Sequence, residues 1–471
     1  IAMRIFLLPK AVLFCYNICG AVLETAQYGK GNDIIMLKSD QKYTSYIEVL
    51  KSELVPAAGC TEPIAIAFAA AKAHSVLGKL PEKVVIYVSG NIIKNAKSVV
   101  VPNTNGLKGI PAAVAAGIAA GQAERKLEVI SSITERQQAD IASFLKSCPI
   151  EVRASRSGAI FDIEIKVYAE GHSAEVEIRD FHTNIVRIEK DGQALPAENK
   201  TEMRRESGLT DRSFLSVESI LDYARSCDLA EVRALLARQM QYNRAIAEEG
   251  MEHRWGAGIG RTIRDSAPEN LRCRLRAAAA AGSDARMSGC EMPVVIVSGS
   301  GNQGLTASVP VMAYAKEIGA DAEQEMRAVL LSDLLTIHLK SGIGRLSAYC
   351  GAVSAGCSAG AAIAFLDGAD YPQIAHTLEN ALAIASGIVC DGAKPSCAAK
   401  IAAAVDAGIT GWEMCKSGRN FHAGDGLVGE DVEKTITNIG RLARLGMRET
   451  DEEILRIMTD APAVERTPTS T

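Results

Sequence analysis

The sequence is short of aromatic residues and lacks any CxxC pair, and both absences exclude classes of protein. Aromatic side chains make up only 5% of the 471 residues, so small and aliphatic side chains must build most of the interior. The absence of a CxxC pair among the 12 cysteines argues against a zinc ribbon or a thioredoxin-like site. The cysteines are also too sparse for a disulfide scaffold, and a reducing compartment is their natural setting. A net charge of −5 without a basic tail argues against a nucleic-acid partner.

The remaining composition is that of an ordinary globular protein. Hydrophobic residues make up 48% of the chain and charged residues 23%, which excludes a disordered or fibrous protein. A mass of 49.9 kDa exceeds one hydrophobic core, so we expect two or three domains. The 40 glycines and the many alanines allow helices to pack at short distances. We predict a mainly helical α+β fold, with a large Ala/Gly-rich helical domain and a small α+β subdomain.

Changes in composition divide the chain into five segments. Residues 1–38 form a leader that need not be native, and 39–126 form the N-terminal helical and strand part of the main domain. The small α+β subdomain is expected over 127–200, where Val- and Ile-rich runs alternate with polar residues. A helical connection follows over 201–271, and the C-terminal helical domain occupies 272–471.

Hydrophobic periodicity and turn residues locate the main elements. Helices are predicted for Ile64–Leu77 and Thr134–Ser147, because Gly78 ends the first and apolar residues recur at helical spacing in the second. Strands are predicted at Lys83–Val88, Ser98–Val101, Ala159–Ala169, Ala174–Arg179, Asn184–Glu189 and Pro293–Val297.

Two uncharged runs imitate membrane signals. Ala11–Leu23 follows two basic residues and resembles the apolar region of a signal peptide. The 21 uncharged residues at 346–366 are long enough to span a bilayer, but they are mostly Gly, Ala, Ser and Cys and lack aromatic or basic anchors. We therefore predict a buried helix at 346–366, no membrane partner and a cytoplasmic location.

A glycine-rich loop at Gly299–Gly304 matches the GxGxxG pattern of dinucleotide-binding proteins. The fingerprint needs a second strand ending in an acid about 20 residues further on, whereas the following stretch here is charged and helical in pattern. The free N–H groups of such a loop at a helix start still suit an anion. We predict that the loop residues Ser298, Ser300, Asn302 and Gln303 bind a substrate carboxylate rather than a nucleotide.

Four cysteines lie in small, uncharged surroundings rich in glycine: Cys60, Cys350, Cys390 and Cys397. An isolated cysteine is usually a small buried hydrophobe. Glycines beside these four would let the backbone make room for an iron–sulfur cluster and donate N–H groups to its sulfides. Soft thiolates select iron–sulfur, zinc or copper(I), and the scattered carboxylates do not suggest a magnesium site.

Five motifs resemble the L-cysteine desulfidase family, which is related to the iron–sulfur-dependent L-serine dehydratases. The resemblance covers residues 39–458, and the motifs are highly specific together although each alone is weak. They lie at Glu53–Ala67, Val99–Ala113, Ser298–Ala307, Ser332–Gly360 and Ile388–Cys397.

The resemblance implies a [4Fe-4S] cluster held by Cys350, Cys390 and Cys397. It also implies that Cys60 removes the α-proton of the substrate, with Cys60 and Cys397 as the two residues that could exchange roles. A thiol of ordinary pKa, about 8.5, is a weak base at neutral pH, so we expect the helix start after Cys60 to lower its pKa. Further candidates to hydrogen-bond the amino acid are Asn103, Thr104, Asn105 and Gly106, and Arg345 could pair with a carboxylate or cap a helix.

The implied reaction is α,β-elimination of L-cysteine to pyruvate, ammonia and hydrogen sulfide. L-Serine is an alternative substrate for the same mechanism, and a non-catalytic iron–sulfur sensor is an alternative function. A pyridoxal-phosphate enzyme is disfavoured because no lysine stands in a Schiff-base setting. The only partner expected besides the small amino acid is a second copy of the chain, since the protein could form a homo-oligomer.

Overall fold

The computed structural model describes residue 36 and residues 38–196, 211–344 and 347–459. The predicted leader therefore lies almost entirely outside the described residues, and so does Arg345. Within the described part the protein is mainly helical with one mixed sheet and one short strand pair, which confirms the predicted α+β class.

The six-stranded sheet has the order Ile150–Ala154, Lys83–Val88, Asp162–Ala169, His172–Arg179, Ile185–Lys190 and Gln193–Ala194. Its first two strands are parallel, and the other neighbours are antiparallel. The predicted strand Lys83–Val88 has the observed bounds. The sheet thus takes one strand from the 39–126 segment and the others from 127–200, because the crossover through Glu135–Ser147 returns the chain beside Lys83–Val88.

The other strand predictions differ from the structure. Three are shifted by one to three residues at an end: Ala159–Ala169, Ala174–Arg179 and Asn184–Glu189. Ser98–Val101 forms no strand but a single bridge between Val100 and Lys108, because the chain turns immediately afterwards. The predicted strand Pro293–Val297 ends at Val295, where its partner Pro56–Ala58 begins in the antiparallel register.

The two faces of the sheet have opposite chemistry. One face is apolar and packs against the helices Thr61–Leu77 and Gly109–Ala120, where the second core of the molecule lies. The other carries a charged network that we call the sheet ion network, formed by Glu164, Lys166, Glu175, Glu177 and Arg187. Alternating side chains on antiparallel strands separate the two sets.

Helices form the rest of the described chain and enclose the larger core. The helices that precede Ile150 in the chain are Gln41–Glu53, Thr61–Leu77, Gly90–Ala96, Gly109–Ala120 and Glu135–Ser147, with a 3₁₀ turn at Ala123–Glu128. The helices that follow the last sheet strand, Gln193–Ala194, are Val217–Ser226, Leu229–Glu252, Ile259–Ser266, Leu271–Met287, Gly301–Ile318, Ala322–Ile343, Gly351–Leu366, Tyr371–Ala385, Cys397–Lys416, Val432–Arg441 and Arg448–Thr459, with a π-turn at Leu442–Gly446.

Glycine contacts align the helices Gly351–Leu366 and Cys397–Lys416. A Cβ atom at Gly360 would lie 2.4 Å from the backbone carbonyl carbon of Gly408, and one at Gly356 would lie 2.4 Å from that of Ala404. Both contacts pair residues 48 positions apart (408 − 360 and 404 − 356), so the helices run parallel in one register. Their N-termini consequently lie side by side.

Candidate active site

Four cysteines from three parts of the chain line one cavity of about 100 Å³. They are the four singled out by the sequence: Cys60, Cys350, Cys390 and Cys397. The polar residues that share the wall include Thr61, Glu62, Lys94, Asn95, Arg286, Ser300, Asn302, Gln303 and Lys340. All four cysteines are free thiols. The structure therefore brings the predicted thiols together, at the place where the two parallel glycine-rich helices begin.

Cys350 and Cys397 owe their positions to those helices. Cys350 is the N-cap of Gly351–Leu366, and Cys397 is the first residue of Cys397–Lys416. The glycine contacts between the helices set the register that puts both N-termini at the cavity. A pair of bulkier helices would separate these two thiols, since the Cβ atoms would collide with backbone.

Cys390 reaches the same place through backbone hydrogen bonds between two loops. Its N–H donates to Ala348 O at 2.6 Å, and the N–H of Cys350 donates to Ile388 O at 3.1 Å. A hydrogen bond from the Cys350 thiol, aided by the nearby Lys94 ammonium, lowers the pKa of Cys390 to about 6. The same pairing with Cys390, together with burial, raises the pKa of Cys350. The pairing thus favours the thiolate of Cys390 over that of Cys350, and the thiolate is the form in which cysteine binds metals.

The donors at this cavity are soft thiols. Among the described residues, no group of three or more His, Cys, Asp or Glu side chains that could hold a metal ion is found. Three cysteines at one cavity supply the type of donor that iron–sulfur clusters use. Lys94 is 1% exposed and Lys400 lies close to Cys397, so cationic groups surround the thiols.

Cys60 lines the same cavity and is the N-cap of the helix Thr61–Leu77. Its thiol donates to Glu62 Oε2 at 3.4 Å, and Thr61 Oγ1 donates to the same oxygen at 3.0 Å. The predicted lowering of its pKa is wrong. Burial, reinforced by the Glu62 carboxylate, raises the pKa of Cys60 well above its usual value, and Arg286 opposes this only in part. Cys60 is 3% exposed, so desolvation of the thiolate outweighs the helix dipole.

The glycine-rich loop faces the same cavity. Ser300 is the N-cap of the helix Gly301–Ile318, and Ser300, Asn302 and Gln303 line the wall. Gly351 leaves room for Gln303, because a Cβ atom there would lie 2.6 Å from Gln303 Cδ. Ser298 is buried with no hydrogen-bond partner for its Oγ and lines an adjoining cleft. Ala322–Ile343 is a helix, so the second strand of a dinucleotide fold is absent here, as predicted.

The residues of the 103–106 turn do not line this cavity. Thr104 Oγ1 donates to Val101 O at 2.7 Å within the turn, and Asn103 Nδ2 donates to Ile130 O at 2.8 Å and ties the turn to a distant segment. Asn103, Asn105 and Gly106 have positive φ angles, which asparagine and glycine tolerate best. The preceding Pro102 packs on Gly59, with Cγ only 2.1 Å from where a Cβ would lie. The turn thus supports the loop that carries Cys60.

Three charged residues at the cavity escaped the sequence interpretation. Glu62 stands two positions after Cys60 in the GCTEP motif, so its proximity to the predicted base was a usable signal. Lys94 and Arg286 lie outside the motifs, and the packing of the helices Gly90–Ala96 and Leu271–Met287 brings them to the wall.

The mainly helical fold carries a cysteine-lined cavity, and comparison with known proteins shows the family of the chain. A family model described as serine dehydratase alpha chain matches residues 124–456. The chain belongs to this family, and its predicted relation to the iron–sulfur serine dehydratase-like proteins is confirmed.

Similar proteins extend over nearly the whole chain. The sequence is 53% identical over 425 residues to a UPF0597 protein of Desulfitobacterium hafniense, covering 90% of this chain and 99% of that protein. It is 48% identical over 416 residues to a UPF0597 protein of Lachnoclostridium phytofermentans, covering 88% and 99% respectively. A UPF0597 protein of Finegoldia magna is 47% identical over 419 residues, again covering 88% and 99%.

The apolar run at 346–366 lies mostly in the helix Gly351–Leu366, which is buried inside the helical body. Among the helices that the structure describes, none combines the length and the apolar character required to cross a bilayer.

Proposed function

We propose that the protein is a lyase that catalyses α,β-elimination of a small L-amino acid, with L-cysteine as substrate. The observation that carries the proposal is the convergence of Cys60, Cys350, Cys390 and Cys397 on one cavity. Membership of the serine dehydratase alpha chain family supports the reaction class.

The three converging cysteines would hold a [4Fe-4S] cluster as thiolates. Bound there, such a cluster would supply a Lewis-acidic iron that no protein side chain ligates. The pKa of Cys390 is lowered by its hydrogen bond from Cys350 and by Lys94, whereas pairing and burial raise that of Cys350 and burial raises that of Cys397. Binding of the cluster would therefore release the protons of Cys350 and Cys397.

Cys60 is the proposed base for the substrate α-proton. Its raised pKa means that the resting side chain is a thiol, so it must lose its own proton first. Glu62 Oε2, which already accepts the Sγ–H hydrogen bond, is the neighbouring acceptor. The resulting thiolate takes the proton from Cα, the Cβ–S bond breaks, and HS⁻ leaves. The aminoacrylate product tautomerises and hydrolyses to pyruvate and ammonia.

L-Serine is the second candidate substrate, and the family match favours it. The elimination is the same with water as the leaving group, because the proton is taken from the same carbon. A non-catalytic iron–sulfur sensor would use the three cysteines but would leave Cys60 and Glu62 without a task.

The deciding experiment is anaerobic reconstitution with iron and sulfide, followed by removal of excess sulfide and assay with L-cysteine and L-serine. We expect sulfide and pyruvate in equal amounts from L-cysteine. Pyruvate from L-serine alone would replace cysteine by serine as the substrate. A reconstituted protein that turns over neither amino acid would refute the lyase proposal and leave the sensor.

The predicted domain boundaries, the cytoplasmic location and a homo-oligomeric state remain proposals from the sequence. Size measurement of the purified chain in solution addresses the last of these directly.

A further inference from the structure

Arg286 is a buried cation on the wall of the cavity. It lies near the C-terminal end of the helix Leu271–Met287 and is 4% exposed. Its guanidinium reaches both sides of the site: Nη2 donates to Gly59 O at 2.8 Å, and Nη1 donates to Asn302 Oδ1 at 3.1 Å. These two contacts fix the plane of the guanidinium between the Cys60 loop and the glycine-rich loop.

Most of the donor capacity of Arg286 is uncommitted. A guanidinium has five N–H groups. Two of those of Arg286 donate hydrogen bonds, so three (5 − 2) have no acceptor among the described residues. Nε is buried with no partner at all. The backbone of Gly301 packs against this edge of the guanidinium, and a Cβ atom there would lie 2.4 Å from Nε, so a larger residue would collide with Arg286. Within the part of the chain that the structure describes, no carboxylate forms an ion pair with Arg286.

Two other cations near the thiols differ from Arg286 in having carboxylate partners. Lys94 forms an ion pair with Asp451, and Lys400 forms one with Asp391. Each of these lysines therefore brings its own carboxylate, whereas Arg286 contacts only a backbone carbonyl and an amide oxygen. A buried charge without a counter-ion is costly, so a site that keeps one is suited to receive an anion.

We propose that Arg286 binds the α-carboxylate of the amino-acid substrate. The planar guanidinium presents parallel N–H groups that match a carboxylate in a bidentate fashion. The inference rests on the proposed elimination for the identity of the ligand, but the cavity geometry carries the residue assignment. It revises the prediction that the glycine-rich loop alone holds the carboxylate: Asn302 orients the guanidinium, and the guanidinium supplies the charge.

The position of Arg286 also bears on the proton transfer. Gly59, whose carbonyl accepts from Nη2, is bonded directly to Cys60. A carboxylate held by Arg286 is therefore anchored next to the loop that carries the base, and Cα is one bond away from that carboxylate. This placement distinguishes an α-carboxylate from a side-chain anion as the guest.

The test is isothermal titration of the reconstituted protein with L-alanine and L-alaninamide, which lack a leaving group and cannot be eliminated. Only L-alanine carries the carboxylate. We expect Arg286→Gln to weaken L-alanine binding about 10- to 100-fold, as expected for a charge-assisted contact, and to change L-alaninamide binding less than about twofold. Arg286→Lys should recover part of the L-alanine affinity, because it keeps the charge but not the bidentate geometry.

Arg244→Gln is the matched control, since Arg244 is half-exposed and pairs with Glu325 away from the cavity. It should leave both affinities unchanged. Equal losses for the two ligands in Arg286→Gln, or no loss for either, would overturn the inference. So would an absence of L-alanine binding to the unmodified protein. Because neither ligand reacts, these outcomes are independent of whether the protein turns over L-cysteine or L-serine.

Discussion

The sheet ion network and the cavity both contain buried charged groups, but the groups are satisfied differently. In the network, Arg187 alone pairs with Glu164, Glu175, Glu177 and Glu189, so each charge has an opposite charge beside it. In the cavity, the Cys60 thiol donates a hydrogen bond to the Glu62 carboxylate, and Arg286 contacts no carboxylate among the described residues. A charge network that is complete has no need of a ligand, whereas an incomplete one favours binding.

The largest effect is expected from the cluster cysteines. Cys350→Ala and Cys390→Ala should each abolish iron retention and turnover together, because each removes one of three protein donors. Iron content and visible absorbance after anaerobic reconstitution measure this. Cys273→Ala is the control, since Cys273 lies at the start of the helix Leu271–Met287 and outside the cavity. A Cys350→Ala protein with full iron content would remove that residue from the donor set.

Cys60→Ala should retain the iron but lose about 10²- to 10⁴-fold in kcat, the usual contribution of a general base. Loss of iron in this variant would instead place Cys60 among the ligands. For the unmodified protein, kcat/KM should rise from neutral to alkaline pH. The sign follows from the raised pKa of Cys60: the active form is the thiolate, and its fraction grows as pH approaches that pKa.

Gly360→Ala should have a smaller, mixed effect. The added methyl would meet the backbone of Gly408, and parting the two helices should cost about 1–3 kcal/mol of unfolding free energy. Because these helices align Cys350 and Cys397, iron affinity should fall along with the melting temperature. Gly319→Ala is a useful comparison: no atom lies within 4 Å of its Cβ position, although its positive φ disfavours alanine. Lower stability there should leave iron affinity intact.

Glu177→Gln should have the smallest effect. It weakens pairs with Arg179 and Arg187, whose guanidinium groups are each more than one-third exposed, and should cost about 1 kcal/mol of stability. The KM for either amino acid should not change, because no residue of the network lines the cavity. A change in KM for either amino acid would contradict the distinction between a complete charge network and a binding site.

Local patterns predicted many elements well, because their physical causes are local. Lys83–Val88 alternates and is bounded by turn residues, and Thr134 caps its helix through a reciprocal bond with Gln137. Ser98–Val101 failed as a strand because apolar β-branched residues alone do not supply a pairing partner. The membership of Lys83–Val88 in the same sheet as His172–Arg179 depends on a parallel crossover that no local pattern reveals.

For the candidate site too, local sequence predicted some features and not others. Glycine-rich surroundings identified Cys60, Cys350, Cys390 and Cys397, and the structure brings all four to one cavity. The direction of the Cys60 pKa could not be predicted, since it depends on burial by distant segments rather than on its position at a helix start.

The sequence by itself determined the kind of chemistry available: thiols in small-residue surroundings, a helix-initiating glycine-rich loop and a mainly helical chain. These follow from residue types and short-range spacing. Only the tertiary structure decided which charges face the thiols, because Lys94 and Arg286 reach the wall through helix packing over long sequence separations. The physical reason is that desolvation and ion pairing depend on neighbours in space, and those neighbours are set by the whole fold.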